Sequence, residues 1–413
     1  MGTDHGVELT VLREDEWDRW YDTLYRAFGA APAPAEQREL DRSVTEFDRS
    51  LVARDGDAIV GTAGAFSFRM TVPGGAAVPA AGVTLVSVVA THRRRGVLTS
   101  MMRRQLDEVR ALGEPVAVLT ASEPAIYGRF GYGAATFRLS GEIDTARVTA
   151  ALPARAEEVR LRYAEPADVL DACERVYAAL VPRRPGMLVR QPGWERAGLL
   201  DPVSRRDGGS ALQCVVAELD GAVSGYARFR TRTGWSVSGA DGTVHLKDLA
   251  ALDPATEAAL WRFLFGIDLM TTVSVESRPV DDAWPHLVSD PRRCRPRLRD
   301  DAYVRLVDVG AALAARTYQT PVDVVFEVED AFCPWNAGRW RLTGDAKGAS
   351  CARTTDAADL ALSVRELGSA YLGGVTLLSL AAAGRVRETR PGALTEASVA
   401  FGSPVAPWLP HGF

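Results

Sequence analysis

Three arginines and a glycine, Arg93-Arg94-Arg95-Gly96, stand where an apolar strand gives way to an amphipathic helix. The first N–H groups of a helix have no partner within it and lie at the positive end of its dipole, so they can cradle a pyrophosphate. Gly96 lets the main chain approach an anion closely, and Arg103 and Arg104, one to two turns on, can meet a further phosphate. The alternative is a basic surface turn with no ligand; placement between a buried strand and a helix favours the cradle. Just downstream, TASEPAIYGRFGYG (120–133) brings two phenols, Tyr127 and Tyr132, past the end of the next strand. Tyr132, between Gly131 and Gly133 and beside Phe130, reads as a packed aromatic in a tight turn. For Tyr127 the residues alone leave a structural and a chemical role open.

The elements that must hold these residues follow from periodicity. Residues 7–12 alternate as a strand, and Trp17, Trp20, Tyr21, Leu24 and Phe28 recur at helical spacing. Residues 51–68 predict a hairpin turning at Asp55-Gly56, and GVTLVSVVA (82–90) a buried strand. Leu98, Met101, Met102, Gln105, Leu106, Val109 and Leu112 mark one helix face closed by Gly113, and residues 115–122 form the next strand. Residues 159–280 repeat that order: strand, helix, a hairpin at Asp220-Gly221, then TVHLKDLAALDPATEAALWRFLFGID (243–268) in step with the strand–loop–helix of the first unit. In this copy Leu252-Asp253-Pro254-Ala255 replaces the Arg/Gly string. The pattern predicts a duplicated unit in which one copy kept the chemistry. The expected division is 1–150, 151–300, and a third unit at 301–413 that opens with a strand and helix at 303–317.

Composition narrows the partners. The 413 residues are 47% hydrophobic and 24% charged with a net charge of −5, which argues against a nucleic-acid footprint. No apolar run reaches the ~20 residues of a membrane span. The N-terminus, with Asp4 and Glu8, has neither the basic nor the apolar region of a signal peptide. Five cysteines (Cys173, Cys214, Cys294, Cys333, Cys351) are far apart and lack a C-x-x-C, so neither a disulfide framework nor a metal site is expected and a cytoplasmic setting fits.

Taken together, VSVVATHRRRGVLTSMM and ASEPAIYGRFGYG resemble the Eis (enhanced intracellular survival) family of multi-acetylating N-acetyltransferases, within the GCN5-related (GNAT) superfamily. The likeness covers the whole chain, extending to LGSAYLGG (367–374) and a terminal Phe; Leu98 departs from the superfamily's usual Gly/Ala. The resemblance implies an α/β (α+β) chain of two tandem GNAT-like domains with mixed sheets, plus a C-terminal sterol-carrier-protein-like domain. It implies an enzyme that moves acetyl from acetyl-CoA, with no metal, to primary amines of aminoglycosides, and of lysine or polyamines. It also implies a homo-oligomer, a hexamer. Residue by residue, it implies that Val86, Ser87 and Val88 offer main-chain contacts to the pantetheine and acetyl group. Arg94, Arg95, Gly96, Val97, Leu98 and Thr99 would hold the pyrophosphate, and Ser122 and Glu123 would also touch the cofactor. Tyr127 would be the general acid and the carboxylate of Phe413 the general base.

That chemistry is coherent. An amine that attacks a thioester must lose a proton and the departing thiolate must gain one; a phenol of pKa near 10 gives a proton to a thiolate of about 8.5 only slightly uphill. An exposed α-carboxylate, near 3.5, is a weak base for an ammonium. Burial raises it and a bound cation lowers it again, and Val405, Trp408, Leu409 and Phe413 make the tail apolar enough to dock. Gly412 brings no charge. With no cysteine near the motifs to carry an acyl group, direct transfer in a ternary complex is expected. The competing reading is a non-catalytic acyl-CoA or lipid-binding sensor. His92 reads as a solvated loop residue, and His411 as a spacer or an assistant to the terminus. Trp17, Trp20, Tyr21 and Phe28 read mostly as core, with one or two lining a groove. The acids from Glu14 to Asp22 read as a solvated face that would attract amines if it lay near a cleft.

Overall fold

The computed structural model describes residues 6–237 and 239–413; Asp4, used above in reading the N-terminus, lies outside them. Among the described residues no helix is long and apolar enough to cross a membrane. The first sheet starts with β1 (Val7–Val11), β2 (Leu51–Asp55), β3 (Ala58–Thr71) and β4 (Ala77–Val88), all antiparallel. Asp55 pairs with Ala58 across the expected hairpin, and Gly56 takes the positive φ of 56° that the turn requires. The helix α3 (Val97–Ala111) then crosses over to β5 (Val116–Thr120), parallel to β4; its apolar face is buried at Met101, Met102, Leu106 and Val109. Helix α1 (Trp17–Phe28) packs against β3 and β4, and α2 (Ala35–Val44) follows it. Trp17 and Trp20 are core, their indoles donating to Thr45 Oγ1 (3.0 Å) and the Leu51 carbonyl (2.9 Å).

The second unit repeats the scheme. Strands Gly242–Ala251 and Met270–Pro279 run parallel with helix Pro254–Phe265 between them, next to an antiparallel hairpin, Gln213–Leu219 with Ala222–Arg232. The sheets cross the unit boundaries expected from sequence. Phe137–Asp144, from the end of the first unit, pairs antiparallel with Met270–Pro279 in the second sheet. Ala302–Leu306, read from sequence as opening the third unit, pairs antiparallel with β5 in the first sheet. Each sheet is completed by chain that belongs in sequence to a different unit.

The third unit is a five-stranded mixed sheet packed with short helices. Its core is filled by Tyr318, Phe326, Tyr371 and Phe401 around the fully buried Arg316. That guanidinium bonds to the Thr317, Tyr371 and Phe401 carbonyls, which satisfies a charge far from water. Arg305, on Ala302–Leu306, meets Asp330 at 2.6 Å with both side chains buried, so the first sheet and the third unit share a desolvated ion pair. Removing one partner of such a pair typically costs ~3–5 kcal/mol.

Because each sheet borrows a strand, residues 1–150 made alone should fail to give a stable fold, and the full chain should lose its first and second units together. Hydrogen exchange of the two sheets during thermal unfolding checks this; two well-separated openings, or a folded 1–150 fragment, would contradict it.

Candidate active site

The site begins where β4 and β5 part. They pair at Ala80/Val116, Ala81/Ala117 and Gly82/Val118 and no further, so beyond Gly82 the edge of β4 facing β5 lacks a strand partner. β4 is also bulged there: Leu85 and Val86 stand opposite the single residue Ala63, and Leu85 has φ 52°. Thr62 holds the bulge, its hydroxyl within 2.6 Å of the Leu85 carbonyl and 2.8 Å of Ser87 Oγ. Ser87 therefore spends its side chain inside the sheet, while Val86 lines the opening and Val88 pairs with Gly61. A cavity of about 340 Å³ fills the gap.

The loop after β4 is built to leave helix α3 open. Arg94 (φ 64°) and Gly96 (φ 84°) both take left-handed conformations, and Gly96 is the N-cap with no side chain bonded over the first turn. Nothing lies within 4 Å of where a Cβ on Gly96 would sit, so an anion can reach the amides of Val97, Leu98 and Thr99. Arg94 and Arg95 are exposed and have no ion-pair partner among the described residues. Arg93 is tied to the Val88 and Ala27 carbonyls (3.3 and 3.2 Å). Of the two arginines further along the helix, Arg103 lies 3.9 Å over Phe332, and Arg104 bonds Glu108 and the Leu9 carbonyl, both at 2.8 Å. His92 bonds Asp55 (2.9 Å) and Thr91 (2.9 Å), bracing the loop.

The matching helix of the second unit is closed. Asp253 accepts from the Thr256 N–H (2.9 Å) and hydroxyl (2.7 Å), and Pro254 has no N–H to offer. A carboxylate already holds the place a pyrophosphate would take.

Tyr127 ends the short helix Pro124–Tyr127 that follows Ser122 and Glu123, and both Tyr127 and Ser122 line the cavity. Burial, and then the nearby Glu123 carboxylate, push the Tyr127 phenol above its ordinary pKa of 10.0. Tyr132 meets it edge-on at 6.0 Å but is fully buried and outside the cavity lining. Glu123 is exposed and also lies outside that lining.

The chain end arrives from the far side. Thr84 Oγ1 donates to the Phe413 main-chain oxygen at 2.9 Å, and the Phe413 ring packs 5.2 Å from Phe68 and 6.5 Å from Phe66. Gly82 makes room: a Cβ there would fall 2.5 Å from Phe68 and 3.1 Å from Phe413. Phe413 and Tyr127, 286 residues apart in sequence, thus border one cavity.

Sequence reasoning missed Thr62, Thr84 and Asp41. The two threonines interrupt apolar strands, which was the available signal; Asp41 gave none. Its carboxylate lines the cavity, accepts from Tyr21 Oη and from Gln37 Nε2 (2.7 Å), and is raised in pKa by burial. Tyr21, Tyr25 and Phe28 supply the aromatic wall. The acids Asp18 and Asp22 instead pair with Arg38 on an outer face, both at 2.7 Å, and Glu16 is buried against Arg54.

Known proteins match this arrangement along the whole chain. The family described as "Acetyltransferase (GNAT) domain" matches residues 8–135 and, through a second such family, residues 186–306; "Sterol carrier protein domain" matches 309–410. An uncharacterized N-acetyltransferase of Streptomyces coelicolor is 73% identical, over 98% of this chain and 100% of the relative. N-acetyltransferase Eis of Mycobacterium tuberculosis is 34% identical, over 97% and 98%. The crystal structure of Eis1 from Mycobacterium abscessus superposes with a TM-score of 0.84 at 34% identity, covering 98% of this chain and 100% of that one. Acetyltransferases of the GNAT superfamily draw on acetyl-CoA, and the open amide turn at Gly96 beside the parted strands suits that donor. The chain, with two GNAT domains and a sterol-carrier-like third, belongs to the Eis family of N-acetyltransferases.

Proposed function

We propose that this N-acetyltransferase takes acetyl-CoA in its first unit and passes the acetyl group directly to a primary amine in a ternary complex, with Tyr127 as general acid and Phe413 as general base. The observation that carries it is the shared cavity: a phenol kept protonated and a terminal carboxylate both border the gap between β4 and β5. The amides of Gly96, Val97, Leu98 and Thr99, with Arg94 and Arg95, hold the pyrophosphate. The main chain of Val86, Ser87 and Val88 receives the pantetheine arm, and Ser122 and Glu123 flank it. The acceptor nitrogen gives its proton to the Phe413 carboxylate as it attacks the thioester carbonyl. The C–S bond then breaks, and Tyr127 protonates the thiolate.

A cationic acceptor suits this cavity. Its charged lining groups are Asp41 and the Phe413 terminus, with no Lys or Arg among the lining residues, and aromatic walls favour ammonium groups. Amines of aminoglycosides, lysine and polyamines are the substrates proposed on the family resemblance, as are a hexameric assembly and a cytoplasmic setting. The three units divide near residues 150 and 300 in this reading.

Two sets of variants check the assignment. Tyr127→Phe, and a chain lengthened by one residue after Phe413, should each lower kcat at least ~10-fold while acetyl-CoA still binds. Normal turnover in both would refute the acid and base. Acetyl-CoA binding without any amine-dependent CoA release in the unaltered protein would instead favour the sensor. The acid works protonated and fails as pH rises through its pKa, so the raised Tyr127 value should move the alkaline loss of kcat above pH 10. Gly96→Val forces a branched side chain into a left-handed φ at a cost of ~1–2 kcal/mol. It should weaken CoA binding roughly tenfold by calorimetry; unchanged affinity would move the pyrophosphate elsewhere.

A further inference from the structure

The second unit also has a gap between parted parallel strands. Gly242–Ala251 and Met270–Pro279 pair from Gly242/Met270 to Leu246/Val275 and then separate around a cavity of about 570 Å³. Its helix is capped against a pyrophosphate by Asp253. What borders this gap is the end of the chain: Val405, Trp408, Pro410, His411 and Gly412 are among its lining residues.

The tail is fastened at successive points. Arg184 donates to the Ala406 carbonyl (2.6 Å), Ala406 N–H donates to Asp281 (2.9 Å), and Arg184 pairs with Asp281 (2.7 Å), closing a ring. The Trp408 N–H donates to the Pro185 carbonyl (2.9 Å), and Arg278 lies 5.3 Å from the Trp408 ring. Gly186 allows that approach, since a Cβ there would sit 3.0–3.3 Å from the Trp408 backbone. Leu409 is buried. The Tyr177 hydroxyl donates to the Leu188 carbonyl (2.7 Å), so its oxygen accepts from His411 Nε2 at 3.1 Å, and Arg190 lies 3.6 Å above its ring. Burial and the charge of Arg190 hold the His411 pKa down, to about 3.

We propose that the cleft of the second unit has become a clamp for the C-terminal tail, in which Tyr177, through His411, is a positioning residue for the Phe413 carboxylate. Free chain ends fray. A single hydrogen bond from Thr84 and one packed ring leave the terminus to swing unless the preceding residues are fixed. A reacting group misplaced by about 1 Å can cost ~100-fold in rate. The degenerate copy thereby contributes to a reaction that takes place in the other. This rests on the proposed role of Phe413 for its catalytic consequence, but the clamp can be measured without turnover.

Carboxypeptidase Y added to the full-length protein, with release of Phe413 followed by intact mass, reads the clamp. Tyr177→Phe and His411→Ala should each speed release at least tenfold. The double variant should be no faster than the faster single within twofold, because both remove one shared bond. His411→Gln, whose amide can reach Tyr177, should restore protection. In turnover assays Tyr177→Phe and His411→Ala should lower kcat about tenfold with the KM for acetyl-CoA within twofold, a split that a general loss of structure would not produce. If Tyr177→Phe does not fold, Asp281→Asn, which weakens the Ala406 anchor, is read in the same way. Release at the unaltered protein's rate in these variants would overturn the clamp. If trimming Phe413 from the unaltered protein leaves kcat intact, the base assignment fails instead, and the release rates still decide whether the clamp exists.

Discussion

The parting of β4 from β5 beyond Gly82/Val118 is the constraint on which the site depends. A parallel pair joined through a helix is stable while its strands are hydrogen-bonded; once they diverge, backbone groups and side chains at the edge need other partners. Gly82 sits at that point twice over. It is the last residue of β4 to pair with β5, and its missing side chain leaves the space taken by the rings of Phe68 and Phe413. The bulge at Leu85, held by Thr62, then re-aims the strand so that Val86 borders the gap. The cavity, the tail and the phenol at position 127 are all placed relative to this opening.

Duplication supplied two such openings, and the capping of the following helix separates their uses. In the first unit a glycine N-cap with positive φ leaves the amides of α3 unclaimed. In the second, Asp253 and Pro254 satisfy or remove the same donors. The physical difference is a few atoms: one helix end can attract an anion and the other already carries one. Strands that cross the unit boundaries tie the two openings together, because Phe137–Asp144 lies in the second sheet and Ala302–Leu306 in the first. The buried Arg305–Asp330 pair extends that rigidity to the third unit, from which the tail departs.

Local chemistry in the sequence made much of the fold legible. The Asp55-Gly56 hairpin, the switch from strand to helix at Gly96, and the repeat of that order at 243–268 all depend on neighbouring residues, and the structure has each. The crossing of unit boundaries was not legible, since Ala302–Leu306 has the same apolar pattern whichever sheet receives it. The contacts of Arg103 and Arg104 were not legible for a related reason. Their spacing from the loop says nothing of Phe332, Glu108 and the Leu9 carbonyl, which they meet in the fold. Asp41 was invisible because a lone acid on a polar helix differs in no way from a solvated one until Tyr21 and Gln37 turn it inward.

What the sequence determined by itself was the inventory: an open glycine-capped helix in one copy, a closed one in the other, a phenol after the next strand, and an apolar tail ending in Phe413. These are properties of short segments, set by backbone conformation and side-chain type. Only the tertiary structure decided that Phe413 and Tyr127 border one cavity and that His411, expected as a spacer or an assistant to the terminus, meets the Tyr177 hydroxyl. Such contacts join residues more than 200 positions apart. Their partners are chosen by how three units pack and by which groups remain unpaired at the interfaces, and no local pattern encodes that choice.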